Sequence, residues 1–230
     1  MLSLACPNRI DELADGVAVY VALELPPIWE AAVLMIGSIV DQEFNSRMAI
    51  LHPPHITLHP PFFPIVGFTE IIDRIRALAG ELIPEPIKVS GVESFDDENG
   101  VPTQMVLMVE RDWCLKTHSL LSTSLSDCWN HTDPLTMQLW PSAHRLEGYK
   151  PHVSLAIGDL PAEPRDRKSL KLRITELMDH LFRLGNAPLS FLPRRLSVIG
   201  YRHLWQSNRY QLEAGPNLLA VIDLPGRAAK

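Results

Sequence analysis

The chain has 230 residues, 46% of them hydrophobic and 21% charged, a balance that supports a sizeable core and excludes a disordered or low-complexity protein. Its longest apolar run, residues 31–40, falls well short of the roughly 20 residues a membrane span needs, so no membrane association is expected. The formal charge of −6 is uneven: residues 1–140 carry 7 Lys and Arg against 19 Asp and Glu, whereas residues 141–209 carry 12 against 6. A protein that tracks long duplex nucleic acid shows a broad basic surface, so this distribution favours a small anionic ligand or a short nucleic-acid end instead.

Cys6, Cys114 and Cys128 are odd in number and form no Cys-x-x-Cys pair, which argues against a disulfide framework or a zinc ribbon and for a reducing cytoplasm. No basic and apolar leader precedes Cys6, so export is not expected.

Residues 16–25 (GVAVYVALEL) are β-branched and apolar and end at Pro26-Pro27, which predicts a central strand followed by a helix over 29–44. Pro53 and Pro54 hold the residues before them extended, so the chain enters a strand over 55–59 without a helical turn. Pro60, Pro61 and Pro64 predict a stiff connection. Thr69 then caps a helix to about residue 82, with Ile71, Ile72, Ile75, Leu78 and Leu82 on one apolar face. Residues 87–95 and 104–110 alternate as two strands of a hairpin around the acidic turn 96–100. Asp112 caps a helix whose Cys114, Thr117, Leu121, Leu125 and Cys128 share a stripe and belong to the core. A strand over 149–158 follows, then a helix from Pro164 to about residue 184 that stops at Gly185-Asn186. Residues 189–201 and 208–213 read as a closing hairpin, and 218–224 as an edge strand.

The order is a half followed by a rough repeat of itself, with no flexible linker between. The expected fold class is α+β: bilobal, with two mostly antiparallel sheets in a pseudo-twofold repeat flanking a central cleft and helices on the outer faces. Residues 1–230 read as a single domain with approximate halves 16–111 and 112–225, whose lobes are free to interleave.

One pattern stands out from this frame. Pro54-His55-Ile56-Thr57-Leu58 recurs 97 positions later as Pro151-His152-Val153-Ser154-Leu155. Side chains at i and i+2 share a strand face, so His55 projects with Thr57, and His152 with Ser154, while the aliphatic residues face a core. Histidine can act as acid or base near neutral pH, and hydroxyls donate to anionic oxygens. Two such half-sites facing each other suit an in-line displacement in which one imidazole accepts a proton and the other gives one. Lys150 shares the face of His152 and adds positive charge. His59, Tyr149 and Arg202 are further candidate nucleotide contacts, while His118, His131, His144 and His180 read as core or surface residues. A metal shared by His52, His55 and His59 fails on geometry. Prolines prevent a helix there, and in a strand His55 and His59 stand about 13 Å apart at ~3.3 Å per residue. No cofactor fingerprint is present.

The paired His-x-(Thr/Ser)-Leu motifs, one in each of two similar halves, resemble the two-histidine phosphoesterases, the superfamily of 2′-5′ RNA ligases and RNA cyclic phosphodiesterases. The opening GVAVYVALELPP resembles that family's first strand, and LSVIGYRHLWQSNRYQLEA its last hairpin. The resemblance implies metal-independent chemistry on a cyclic or 2′-linked phosphodiester, with His55 and His152 as the catalytic imidazoles and Thr57 and Ser154 holding phosphate oxygens. It implies a small nucleotide or short RNA end as partner, and a monomer is expected. This chain departs from the family pattern in having His59-Pro60-Pro61 after the first motif and Ser rather than Thr in the second. Hydrolysis of a 2′,3′-cyclic phosphate to a 2′-phosphate is the most concrete expectation. The same site admits 2′-5′ cleavage, 2′-5′ joining or destruction of a cyclic-nucleotide signal. A non-catalytic nucleotide-binding module is the competing reading, against which the histidine and hydroxyl kept in both motifs argue.

Overall fold

The computed structural model describes residues 17–46, 53–131, 148–183, 190–202 and 217–226. Strand β1 (Val17–Glu24) is buried along almost its whole length, which accounts for its unbroken apolar run. Pro27 sits in the first turn of helix α1 (Pro27–Phe44), where the missing N–H leaves no bond unmade. That helix buries Trp29, Val33, Ile36 and Val40 and ends on Asn45, whose φ of 53° is a left-handed conformation that asparagine tolerates.

Strand β2 (His55–Phe62) runs through Pro60 and Pro61, where the sequence predicts only a connection. The prolines are tolerated because β5 pairs with β2 near its start, at Ile56, and leaves this end without a ladder on that side. Helix α2 (Phe68–Glu81) has Gly67 as its N-cap, so Thr69 lies inside the first turn and does not cap it. Strands β3 (Ile87–Asp96) and β4 (Pro102–Val109) form the expected hairpin; the Asp97 carboxylate closes its turn by accepting from the amides of Asn99 at 2.8 Å and Val101 at 2.9 Å.

In helix α3 (Asp112–Ser124) the N-cap is Arg111. Asp112 is the first helical residue, favoured there by the positive end of the helix rather than by a capping bond. Strand β5 (His152–Ile157) and helix α4 (Pro164–Arg183) follow.

The segment expected as one strand over 189–201 is divided around Pro193. Strand β6 (Ser190–Phe191) pairs with β3, and β7 (Arg195–Arg202) pairs with β1 and with β8 (Asn217–Asp223). The strand expected over 208–213 lies outside the described residues, as do Cys6, His52 and His144.

In place of two separate sheets, the strands form one sheet in the order β6-β3-β4-β5-β2-β1-β7-β8, with every pairing antiparallel. The motif strands β5 and β2 are the central pair. Outward from them the two sides carry β4-β3-β6 and β1-β7-β8, so the repeat survives as a twofold pattern within one sheet. Between β2 and β5, one pair, Ile56 with Val153, is in register among the described residues. Pro54 and Pro151 lie just before the two strands, and a residue without an N–H cannot lengthen a ladder.

All four described helices feed one core on one face of this sheet. The helices cross under the seam: α1, which leads into β2, contacts β5, and α3, on the approach to β5, contacts β2. An exposed bidentate pair between Arg173 of α4 and Glu43 of α1 (2.8 and 2.9 Å) and a bond from the buried Ser46 to Asp159 (2.9 Å) tie the halves together. No helix among the described residues is long and apolar enough to cross a membrane.

Ile56 is fully buried at the one registered pair of the seam. Ile56→Ala is expected to lower the unfolding free energy by about 3 kcal/mol, as large-to-small core changes do, measured as a shift of the urea midpoint at constant m-value.

Candidate active site

The face of the sheet opposite the helices carries both motifs. Ala18, Tyr20 and Ala22 of β1 turn to this face and cluster with Ile199 of β7, while Val17, Val19, Val21 and Leu23 face the helices. His55 and Thr57, half-buried, alternate with the fully buried Ile56 and Leu58. His152 and Ser154 alternate with Val153 and Leu155 in the same way. Since Ile56 and Val153 are partners in an antiparallel pair, Thr57 lies on the side of His152, and Ser154 on the side of His55. The histidines therefore occupy one diagonal of a four-residue constellation and the hydroxyls the other.

Both imidazoles are held alike. Nδ1 of His55 lies 2.8 Å from the Pro53 carbonyl oxygen, and Nδ1 of His152 lies 2.7 Å from that of Lys150. A carbonyl only accepts, so each Nδ1 carries the hydrogen and each Nε2 is left as the ionisable atom. The proline between donor and acceptor explains the repetition: its fixed φ keeps the chain extended, and in an extended chain residue i−2 lies on the side of residue i.

Each ring also has an aromatic neighbour. Tyr20 stands 5.3 Å from His55 between centroids, and Phe95 meets His152 edge-on at 5.0 Å. Burial pushes the Tyr20 phenol well up, keeping it protonated beside His55. Desolvation lowers the pKa of His152 from its usual value, against the raising effect of its bond to Lys150.

Lys150 is exposed, with its ammonium 5.6 Å from the centroid of the Phe95 ring, beside His152. Gln104 of β4 joins them from the neighbouring strand. Its Nε2 donates to Ser154 Oγ at 2.9 Å and lies 3.3 Å from His152 Nε2. Nothing local in the sequence marks it, because the contact is made across strands.

Two candidate nucleotide contacts are placed elsewhere. His59 is 1% exposed, bonded through Nδ1 to the Pro60 carbonyl and edge-on to Phe62 in the core. The cause is an irregularity in the β1–β2 register between Ala22–Thr57 and Val21–His59, which breaks the alternation and buries Leu58 and His59 consecutively.

Tyr149 is likewise buried at 7% exposure; its hydroxyl donates to the Thr57 carbonyl at 2.9 Å and its ring stacks on His118 at 4.2 Å. His118 is fully buried and bonds through Nδ1 to the Leu58 carbonyl at 2.8 Å, so the stacked pair braces consecutive carbonyls of β2 from beneath. The backbone of Arg202 pairs with Val17 at the end of β7, and its side chain lies outside the described residues. His131 and His180 are exposed, as the sequence suggests.

Burial lowers the pKa of both His118 and His152 from the ordinary 6.5. The unfolded chain therefore takes up protons before the folded one does. Stability is expected to hold constant above that midpoint and to fall as the pH drops through 6.5, the loss growing until the folded-state midpoints are passed. Urea midpoints measured across this range check it.

The family model of the 2′-5′ RNA ligase superfamily matches residues 25–203, a span that includes both motif strands. Among solved structures, TT0787 of Thermus thermophilus aligns with a TM-score of 0.55 at 17% identity, covering 91% of this chain and 99% of that one. Escherichia coli LigT complexed with 3′-AMP aligns at a TM-score of 0.47 and 11% identity, over 92% of this chain and 100% of that one. Kluyveromyces marxianus Usb1 with uridine monophosphate aligns at 0.47 and 16%, over 93% and 99%. No curated protein matches the sequence. With the family match spanning most of the sequence and the fold shared with TT0787, the chain belongs to the 2′-5′ RNA ligase superfamily of two-histidine phosphoesterases.

Proposed function

We propose that the protein is a metal-independent phosphodiesterase that opens the 2′,3′-cyclic phosphate of a small nucleotide or short RNA end to a 2′-phosphate, in the cytoplasm. The observation that carries this reading is the pair of carbonyl-held imidazoles on adjoining strands, each beside a hydroxyl on the same face.

A cyclic phosphate seated over the seam meets an Nε2 from each half. One imidazole takes a proton from water as its oxygen attacks phosphorus. The other gives a proton to the ribose O3′ as the P–O3′ bond breaks. The products are the 2′-phosphate and a free 3′-hydroxyl, and the two rings end with their protonation states exchanged, to be reset by solvent. Thr57 and Ser154 donate to the non-bridging oxygens, where charge builds in the transition state, and Lys150 adds a positive field on the side of His152.

Desolvation suits His152 to begin neutral as the base, which leaves His55 as the acid. The Nδ1–H bonds to Pro53 and Lys150 hold each ring in the orientation the transfer requires, so little reorganisation is left to the reaction step.

His55→Ala and His152→Ala are each expected to lower kcat by roughly 10²- to 10⁴-fold, and the double variant to lose little more than the worse single. Turnover of nucleoside 2′,3′-cyclic phosphates and 2′-5′ dinucleotides in excess EDTA, with the product phosphate located by 31P NMR, measures this. Full activity in either single variant, or loss of wild-type activity on chelation, would overturn the mechanism. Turnover of 2′-5′ dinucleotides alone would move the assignment to 2′-5′ linkages. Nucleotide binding without turnover would make the protein a binding module.

A further inference from the structure

The two half-sites match in how their histidines are held and differ in how their hydroxyls are held. Among the described residues, the Thr57 hydroxyl has no hydrogen-bond partner, whereas Ser154 accepts from the Gln104 amide at 2.9 Å. An amide nitrogen carries two hydrogens, and Gln104 Nε2 has two acceptors in reach: Ser154 Oγ, and His152 Nε2 at 3.3 Å. Because Ser154 accepts from Gln104, its own hydrogen is left for another acceptor, and the ring of His152 is met at the lone pair from which a base acts.

We propose that Gln104 is a positioning residue of this site: its amide directs the Ser154 hydroxyl toward the bound phosphate and favours the neutral ring of His152 in the resting site, giving up its contact with Nε2 when that lone pair takes the proton from water. This rests on the cyclic-phosphate reading for its consequence in turnover, but not for its effect on His152. The Ser154 hydroxyl is then directed before substrate arrives, and the Thr57 hydroxyl by the substrate itself.

The groups facing His152 are few. Gln104 and Met108 stand on β4, Phe95 and the exposed Glu93 on β3, Lys150 at the approach to β5, and His55 across the seam. The Nδ1 bond to the Lys150 carbonyl favours the charged ring, and Gln104 is the group in contact with Nε2 itself. Burial, which lowers the His152 pKa, works in the same direction as Gln104.

The test uses Gln104→Leu and Gln104→Glu in the full chain. Gln104 is half-buried, so both are expected to fold, which the wild-type circular dichroism and melting profile check. Gln104→Leu removes both donors and is expected to reduce kcat/KM for a nucleoside 2′,3′-cyclic phosphate by about 10- to 100-fold, as loss of an orienting partner does. Combined with Ser154→Ala it should cost less than the product of the two single losses, because the part of the Gln104 effect that passes through Ser154 is already gone while the part on His152 remains.

Gln104→Glu places a carboxylate at Nε2 and is expected to raise the proton affinity of His152 by about tenfold or more, read from the NMR titration of its ring protons with no substrate present. If the His152 titration in Gln104→Glu coincides with that of wild type, or if the losses from Gln104→Leu and Ser154→Ala add in full, the proposal is overturned. The titration decides the effect on His152 even if the wild type turns over no cyclic phosphate, so its failure and that of the proposed reaction are separable.

Discussion

The candidate site depends on two hydrogen bonds to backbone carbonyls, from Nδ1 of His55 to that of Pro53 and from Nδ1 of His152 to that of Lys150. An imidazole on a strand has two tautomers and a rotatable ring. A carbonyl two residues back, held in place by an intervening proline, removes both freedoms at once and fixes which nitrogen carries the hydrogen. Because the device is complete within three residues, it can be repeated without help from the rest of the chain, and it is the feature the two halves share most closely. The surrounding groups then differentiate the copies: Tyr20 beside one ring, Phe95, Lys150 and Gln104 beside the other.

Bringing the copies together carries a structural cost. The two strands meet through one registered pair, Ile56 with Val153, so the backbone ladder that binds neighbouring strands elsewhere is nearly absent at the centre of the sheet. Other contacts make up for it from the helix side. The stacked Tyr149 and His118 support the Thr57 and Leu58 carbonyls, and the crossed helices each cover the other half's motif strand. The candidate site is therefore a seam held from beneath, on the face of the sheet turned away from the helices.

The motifs were legible in the sequence because their information is local: alternation places His with Thr or Ser on one face, and the proline marks the entry. The order of elements followed from the same periodicities. What was not legible depended on contacts between strands. A shift in the β1–β2 register turned His59 into the core, a change that no local pattern announces. Tyr149 looked like a polar residue beside the motif, yet its hydroxyl finds its acceptor inside the protein, at Thr57. Gln104 is 48 positions from His152 and reaches it only because β4 lies against β5. Two separate sheets were expected from the repeat, and one formed because the motif strands lie side by side.

The order of the strands also bears on how the chain assembles. Strand β1 is synthesised before the other strands of the sheet and is buried on both faces, yet the neighbour it pairs with most fully, β7, begins at Arg195. Until that segment leaves the ribosome, β1 has only β2 beside it, itself interrupted by prolines, and an open apolar edge on its other side. The opposite half can form its β3–β4 hairpin early from contacts close in sequence. Folding of the His55 half must wait for a closure across more than half the chain, and loop entropy makes such closures slow. The half of the sheet that starts first is thus the half completed last, and the edge of β1 stays uncovered while most of the sheet is being made.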